Sequence, residues 1–124
     1  MIHAGLVTFI IDIRHLLDER GELPLDNPTL RRRALRMAQL VEAGGPLEVG
    51  QFRETLIACD ARPHRRPCPG LLWVEKTHDQ RIHAYCLACQ RNAVLISGWE
   101  MTAWADGPME PQSDEPIPRP YDVN

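Results

Sequence analysis

The sequence predicts an α+β fold, an N-terminal helical hairpin packed on a small antiparallel sheet. Two observations carry this reading. Before residue 50, apolar residues recur at helical spacing in two stretches; from Gln51 onward they fall into short runs of strand length separated by turn residues. A third, the placement of four cysteines within the second region, marks where that sheet is held together. The expected division is a helical hairpin over 1–50, a sheet domain over 51–105 and a tail over 106–124.

The first stripe is Leu6, Phe9, Ile10, Ile13, Leu16 and Leu17. Val7, Phe9, Ile11 and Ile13 also fit an alternating strand, but the stripe's continuation through Leu17 favours helix, ended by Gly21 and Pro24. Asn27 before Pro28 has the form of an N-cap followed by proline at the first helical position, and Leu30, Ala34, Met37, Ala38 and Val41 make the second stripe, placing a helix over about 28–43. Two such helices joined by a short connection are expected to pack antiparallel. Strands are predicted over 52–58, 71–76, 81–86 and 93–99, with Thr77, His78, Asp79 and Gln80 as the turn between the middle two. The segment 106–124 holds five of the 11 prolines and five carboxylates against one arginine, so it reads as an extended acidic tail.

Hydrophobic residues at 44% and charged residues at 25% are globular proportions, while a net charge of -3 leaves no overall cationic field for nucleic acid. Any basic surface must be local. No apolar run approaches the roughly 20 residues that span a bilayer, so no membrane partner is expected. The N-terminus opens with no Lys or Arg and its apolar run meets Asp12 early, so no secretory signal is expected. A cytoplasmic location follows as an expectation, and in a reducing compartment clustered cysteines favour metal over disulfides.

Those cysteines are Cys59, Cys68, Cys86 and Cys89, in the pattern Cys-x8-Cys, x17, Cys-x2-Cys. A two-residue spacer lets one tight turn direct two thiolates at a single ion, and an intervening hairpin carries the remote pair into the same tetrahedron, the arrangement zinc prefers. From Cys59 to Trp99 the chain resembles the zinc-ribbon class, in which β-hairpins clamp a four-ligand zinc; the resemblance implies that the predicted sheet is a small antiparallel zinc ribbon. The eight-residue first spacer departs from the two to four usual in ribbons, and leaves His64, with three residues between it and Cys68, as an alternative to Cys59 for the fourth ligand. A redox role for Cys86 and Cys89 lacks the strand-to-helix setting that lowers a thiol pKa. Four available thiolates imply a closed, structural Zn2+, which would stabilise a domain too small to rely on its core alone.

No hydrolase, deaminase or nucleotide-binding motif occurs, and the chain is expected to be non-enzymatic. The loop between the first two cysteines carries Arg62, Arg65 and Arg66 among Pro63 and Pro67. Guanidinium forks match phosphate geometry, and a proline-stiffened loop loses little entropy on binding. This makes the loop the candidate nucleic-acid contact of a small regulatory protein. The alternative is a protein adaptor in which zinc is purely a scaffold and the arginines offset the charge of the thiolates. Arg31, Arg32, Arg33 and Arg36 form a second cluster on the helix after Pro28, read first as a solvated face. Trp73, Trp99 and Trp104 are expected to supply core mass, with Trp99 the leading candidate for burial. Oligomeric state has no sequence signature here.

Overall fold

The computed structural model describes residues 9–91 and 93–107. In order these form β1 (Phe9–Asp12), a single 3-10 turn (Ile13–Leu16), α1 (Pro28–Gly44), β2 (Phe52–Ala58), β3 (Leu71–Lys76), β4 (Ile82–Cys86) and β5 (Ala93–Ser97), with a short 3-10 turn (Pro63–Arg65) between β2 and β3. The strands make one five-stranded mixed sheet in the order β1-β5-β4-β3-β2. Apart from Asp106 and Gly107, the predicted tail lies outside the described residues.

The N-terminal helical hairpin is not there. Phe9–Asp12 is a strand that pairs in parallel with β5, Phe9 opposite Val94 and Asp12 opposite Ser97, so the sheet is mixed and larger than an antiparallel ribbon. The physical reason lies in the Phe-Ile-Ile-Asp-Ile run. β-branched residues are stiff at χ1 and favour extended backbone, and the free edge of β5 supplies the backbone partners that a lone helix would otherwise provide for itself. Only Ile13 among the turn residues is fully buried, and the Asp12 carboxylate accepts from the Arg14 backbone N–H at 3.0 Å to start that turn. Arg14 also donates its side chain to the same carboxylate, holding the Asp12 carboxyl down at about 2.

The second predicted helix stands. Asn27 accepts from the Leu30 N–H at 3.1 Å and Pro28 opens the first turn, satisfying and sparing the donors that a helix start leaves orphaned. The stripe Ala34, Met37, Ala38 and Val41, with Leu40, is buried against the sheet. The residues that meet it alternate along three strands. Val74 opposes Ala84, which opposes Val94; Lys76 opposes Ile82, which opposes Ile96; Leu72 opposes Cys86. One core therefore runs from Ile13 through α1 and the central strands to Trp99. Fully burying side chains such as Leu40, Ile82 and Ile96 stabilises by about 1.5–3 kcal/mol each. Trp99 is buried as expected, while Trp104 packs partly buried against the same core. The turn between β3 and β4 forms where predicted. The Thr77 hydroxyl and Arg81 hold the Asp79 carboxyl at about 2. No helix among the described residues is long and apolar enough to cross a membrane.

The chain's single lysine sits where α1 ends. Lys76, only 3% exposed, donates to the carbonyls of Gly45 at 2.9 Å and Leu47 at 2.8 Å, and its ammonium lies 4.5 Å from the centre of the Trp99 ring. A cation at a helix C-terminus satisfies carbonyls that have no partner within the helix and meets the negative end of the dipole. Burial pushes the Lys76 ammonium below its ordinary range.

At Gly45 propensity and packing conflict. The residue is right-handed (φ -56°, ψ -45°), where alanine ordinarily gains about 1 kcal/mol over glycine. A methyl group there, however, would lie 2.1 Å from the Ala105 carbonyl oxygen. Gly45→Ala is accordingly expected to lower stability by about 2 kcal/mol through overpacking. A denaturant midpoint unchanged or raised in the variant would show that the segment around Ala105 does not press on the end of α1.

Candidate metal centre

β2 and β3 are antiparallel and joined by the segment that carries the first two cysteines. Ala58 opposes Leu71 at its base. One step further out, Cys59 N–H donates to the Gly70 carbonyl at 3.0 Å, and Cys68 N–H donates to the Ala61 carbonyl at 3.0 Å. These two bonds extend the hairpin past the strand ends, so the eight-residue spacer bulges outward while its end residues stay together. Cys86 is the last residue of β4, on the face that carries the core row, and the chain turns at once so that Gln90 N–H donates back to the Cys86 carbonyl at 3.0 Å. Cys89 lies within that turn.

The ligand atoms of Cys59, Cys68, Cys86 and Cys89 all fall within 4.8 Å of one another. Cys59 faces Cys89 and Cys68 faces Cys86, each pair with Sγ atoms 3.7 Å apart. A disulfide needs about 2.05 Å, and the four are free thiols. Four sulfurs held about 2.3 Å from one zinc stand about 3.8 Å apart along each edge of the tetrahedron, so the spacing here is that of a ligand set around a common centre. The four cysteines could therefore hold a metal ion. Of the two candidates for the fourth position, Cys59 belongs to the cluster and His64 does not.

Backbone N–H groups reinforce the sulfurs. Ala61 donates to Cys59 Sγ and Gly70 to Cys68 Sγ, each at 3.4 Å. At Cys86, burial opposes the thiolate, but donors from the Cys89 and Ala88 backbone outweigh it and the thiol lies below its ordinary range. At Cys68 the Gly70 N–H favours the thiolate, yet burial together with the Cys86 and Cys89 sulfurs leaves the thiol above its ordinary range. A cation held at the shared centre would favour the thiolate form of the sulfurs around it. Gly70 is required by space, since a Cβ there would lie 2.8 Å from the Ala88 Cβ and 2.9 Å from Cys86 Sγ.

Cys59, Cys68 and Cys86 are buried and join the main core, whereas Cys89 is half-buried. From α1, Arg36 donates to the Ala58 carbonyl at 2.7 Å and pairs with Asp60 at 3.5 Å, tying the helix to the entrance of the cysteine loop. Arg62, Arg65 and Arg66 are all exposed on the loop. Within the loop His64 and Arg65 both have positive φ (57° and 67°), and the Arg62 guanidinium donates to the Arg65 carbonyl at 3.1 Å.

Sequence reasoning missed Arg91. It lies just beyond the second cysteine pair and lines, with His64, Arg66 and Pro67, an open groove over Cys68 and Cys89. Its position two residues after Cys89 is the one signal the sequence offers. Arg36 belongs to the cluster expected to be a solvated helix face, and its anchoring role depends on a carbonyl 22 residues away. Comparison with known protein families, with curated proteins and with solved structures finds no match.

Proposed function

We propose that this chain is a non-enzymatic protein in which a structural Zn2+ on Cys59, Cys68, Cys86 and Cys89 fixes an arginine-bearing loop as a nucleic-acid contact. The tetrahedral sulfur spacing supports zinc, a d10 ion that accepts four thiolates without a further geometric demand. Four protein ligands close the coordination shell, which fits a structural role. The observation that carries the nucleic-acid reading is that Arg66 and Arg91, from the two cysteine-bearing segments, line one groove over Cys68 and Cys89. The ion would thus hold two cationic segments at a fixed separation, and preorganised guanidinium groups bind phosphate with little loss of entropy. Although the net charge is -3, the charge facing a ligand here is local and positive. A regulatory role in the cytoplasm fits this reading.

The test is binding of unbiased DNA and RNA pools to the zinc-loaded chain across a salt series. Replacing Arg62, Arg65 and Arg66 together by alanine is expected to weaken all sequences alike. It should also flatten the salt dependence by about 0.9 per duplex phosphate no longer neutralised, or about 0.7 for single strands. Zinc content should be unchanged, because none of the three belongs to the cysteine cluster, and melting should fall only slightly, through the exposed bond from Arg62 to the Arg65 carbonyl. Absence of binding by the wild type at low salt would remove the nucleic-acid reading. The protein-adaptor reading would then lead, favoured by Phe52 and Leu56, which are 61% and 93% exposed on the edge strand β2.

A further inference from the structure

The arginine cluster of α1 reaches the start of the cysteine loop through a bridge, in which Arg36 donates to the Ala58 carbonyl and pairs with Asp60. Beside that bridge, Arg32 and Arg33 border a cleft of about 640 Å³ between α1 and the β1 and β5 side of the sheet. Asp60 lines this cleft, and Pro63, three residues further on, lines the groove over the cysteines. Even a fully extended chain separates those two positions by no more than about 11 Å. The cleft and the groove are therefore neighbours.

The cleft differs from the groove in its walls. Phe9, 64% exposed, forms an apolar side together with Ile11, Met37 and Val94, and Ile10 borders the same cleft from the strand. An aromatic side chain exposed beside guanidinium groups matches a ligand that carries negative charge and flat apolar surface within a few ångströms of each other. A duplex presents its phosphates outward and keeps its base faces stacked. A single strand presents both together. We infer that this cleft is a base-accepting subsite for single-stranded nucleic acid, in which a base lies on Phe9 and the adjoining phosphates face Arg32 and Arg33. Arg36, already committed to Asp60 and the Ala58 carbonyl, is a positioning residue that aligns the subsite with the loop. The inference rests on the nucleic-acid reading above and names its ligand class.

The experiment uses the full zinc-loaded chain and labelled homopyrimidine oligonucleotides of about 12 nucleotides, within the span of a small single-strand-binding domain. A duplex of equal length and a polyglutamate serve as competitors. The single strand is expected to bind tighter than the duplex. Phe9→Ala should weaken single-strand binding roughly 5- to 150-fold, the range set by one stacked base, while leaving the salt slope intact. Phe9→Trp should restore affinity, with indole fluorescence quenched on binding. Arg32→Ala with Arg33→Ala should instead lower the salt slope by about 0.7 for each phosphate no longer neutralised. Because these side chains lie on the open walls of the cleft, melting and zinc content should match the wild type in every variant. If the wild type binds nucleic acid but Phe9→Ala binds single strands equally well, or the duplex competes equally, the subsite is refuted while the loop reading stands. If polyglutamate displaces the strand as well as unlabelled oligonucleotide does, the cleft recognises charge alone and the inference fails. No binding of any nucleic acid ends both readings.

Discussion

Stripping the metal from the zinc-loaded chain is expected to unfold the cysteine end of the sheet and to lower apparent stability by an amount on the order of 10 kcal/mol, comparable with the whole stability of a small domain. Between Cys59 and Cys68 no side chain is fully buried, so little burial holds that loop apart from the sulfurs at its ends. Its internal backbone bonds, from Cys59 to Gly70 and from Cys68 to Ala61, depend on the two cysteines being held together. Cys86→Ser should have the largest single effect, because Cys86 is fully buried at the end of a core row and accepts two backbone donors. Cys89→Ser, in a half-buried turn, should cost less stability but still abolish tight binding. The metal-bound sulfurs are thiolates, so their bound-state pKa values lie below those of the free thiols. Their stabilisation is present above the free-thiol values and lost as pH falls through the bound-state values, when protons displace the ion. Thermal melting with and without chelator, followed by re-addition of zinc, measures the effect. Identical melting of the loaded and stripped chain would show that the sulfurs contribute no metal-dependent stability.

Lys76→Met is expected to destabilise the chain by about 3 kcal/mol, because a charged donor disappears and its buried acceptors stay behind. Methionine fills much of the same space beside Trp99, so the cost arises from the Gly45 and Leu47 carbonyls rather than from a cavity. Since burial depresses the Lys76 pKa, the unfolded chain takes up a proton first as pH falls from the strongly alkaline range. This lysine's contribution to stability should therefore rise as pH increases through its folded value toward 10.5, and the variant should lack that slope. Urea denaturation of both proteins across that range checks the magnitude and the sign. A variant as stable as the wild type at neutral pH would mean that water satisfies the two carbonyls equally well.

The parts of this fold that are legible in the sequence are those decided locally. Asn27 and Pro28 announce the start of α1 through the donors they cap or lack, and its stripe needs no knowledge of what it packs on. The cysteine spacing also carries its meaning by itself, because a two-residue spacer and a hairpin bring thiolates together whatever the rest of the chain does. The N-terminal segment is ambiguous for a physical reason. Phe9, Ile11 and Ile13 fit a strand and Phe9, Ile10 and Ile13 fit a helix, and the decision belongs to β5. The Ser97 hydroxyl that reaches the Ile11 carbonyl lies 86 residues away, and nothing local to β1 signals that pairing. Lys76 and Arg36 are invisible for the same reason, since the carbonyls they serve come from elements distant in the chain. Arg62, Arg65 and Arg66 can be singled out by composition, but the groove that Arg66 and Arg91 both line emerges only when the two cysteine-bearing segments come together.

Elemental analysis of the chain purified without chelator, paired with quantitation of its reactive thiols, tests the central claim most directly. One zinc per chain is expected, with all four cysteines protected until the ion is removed and four thiols released per zinc lost. No stoichiometric metal, or a Cys86→Ser chain that keeps its zinc and its fold, would contradict the proposed centre.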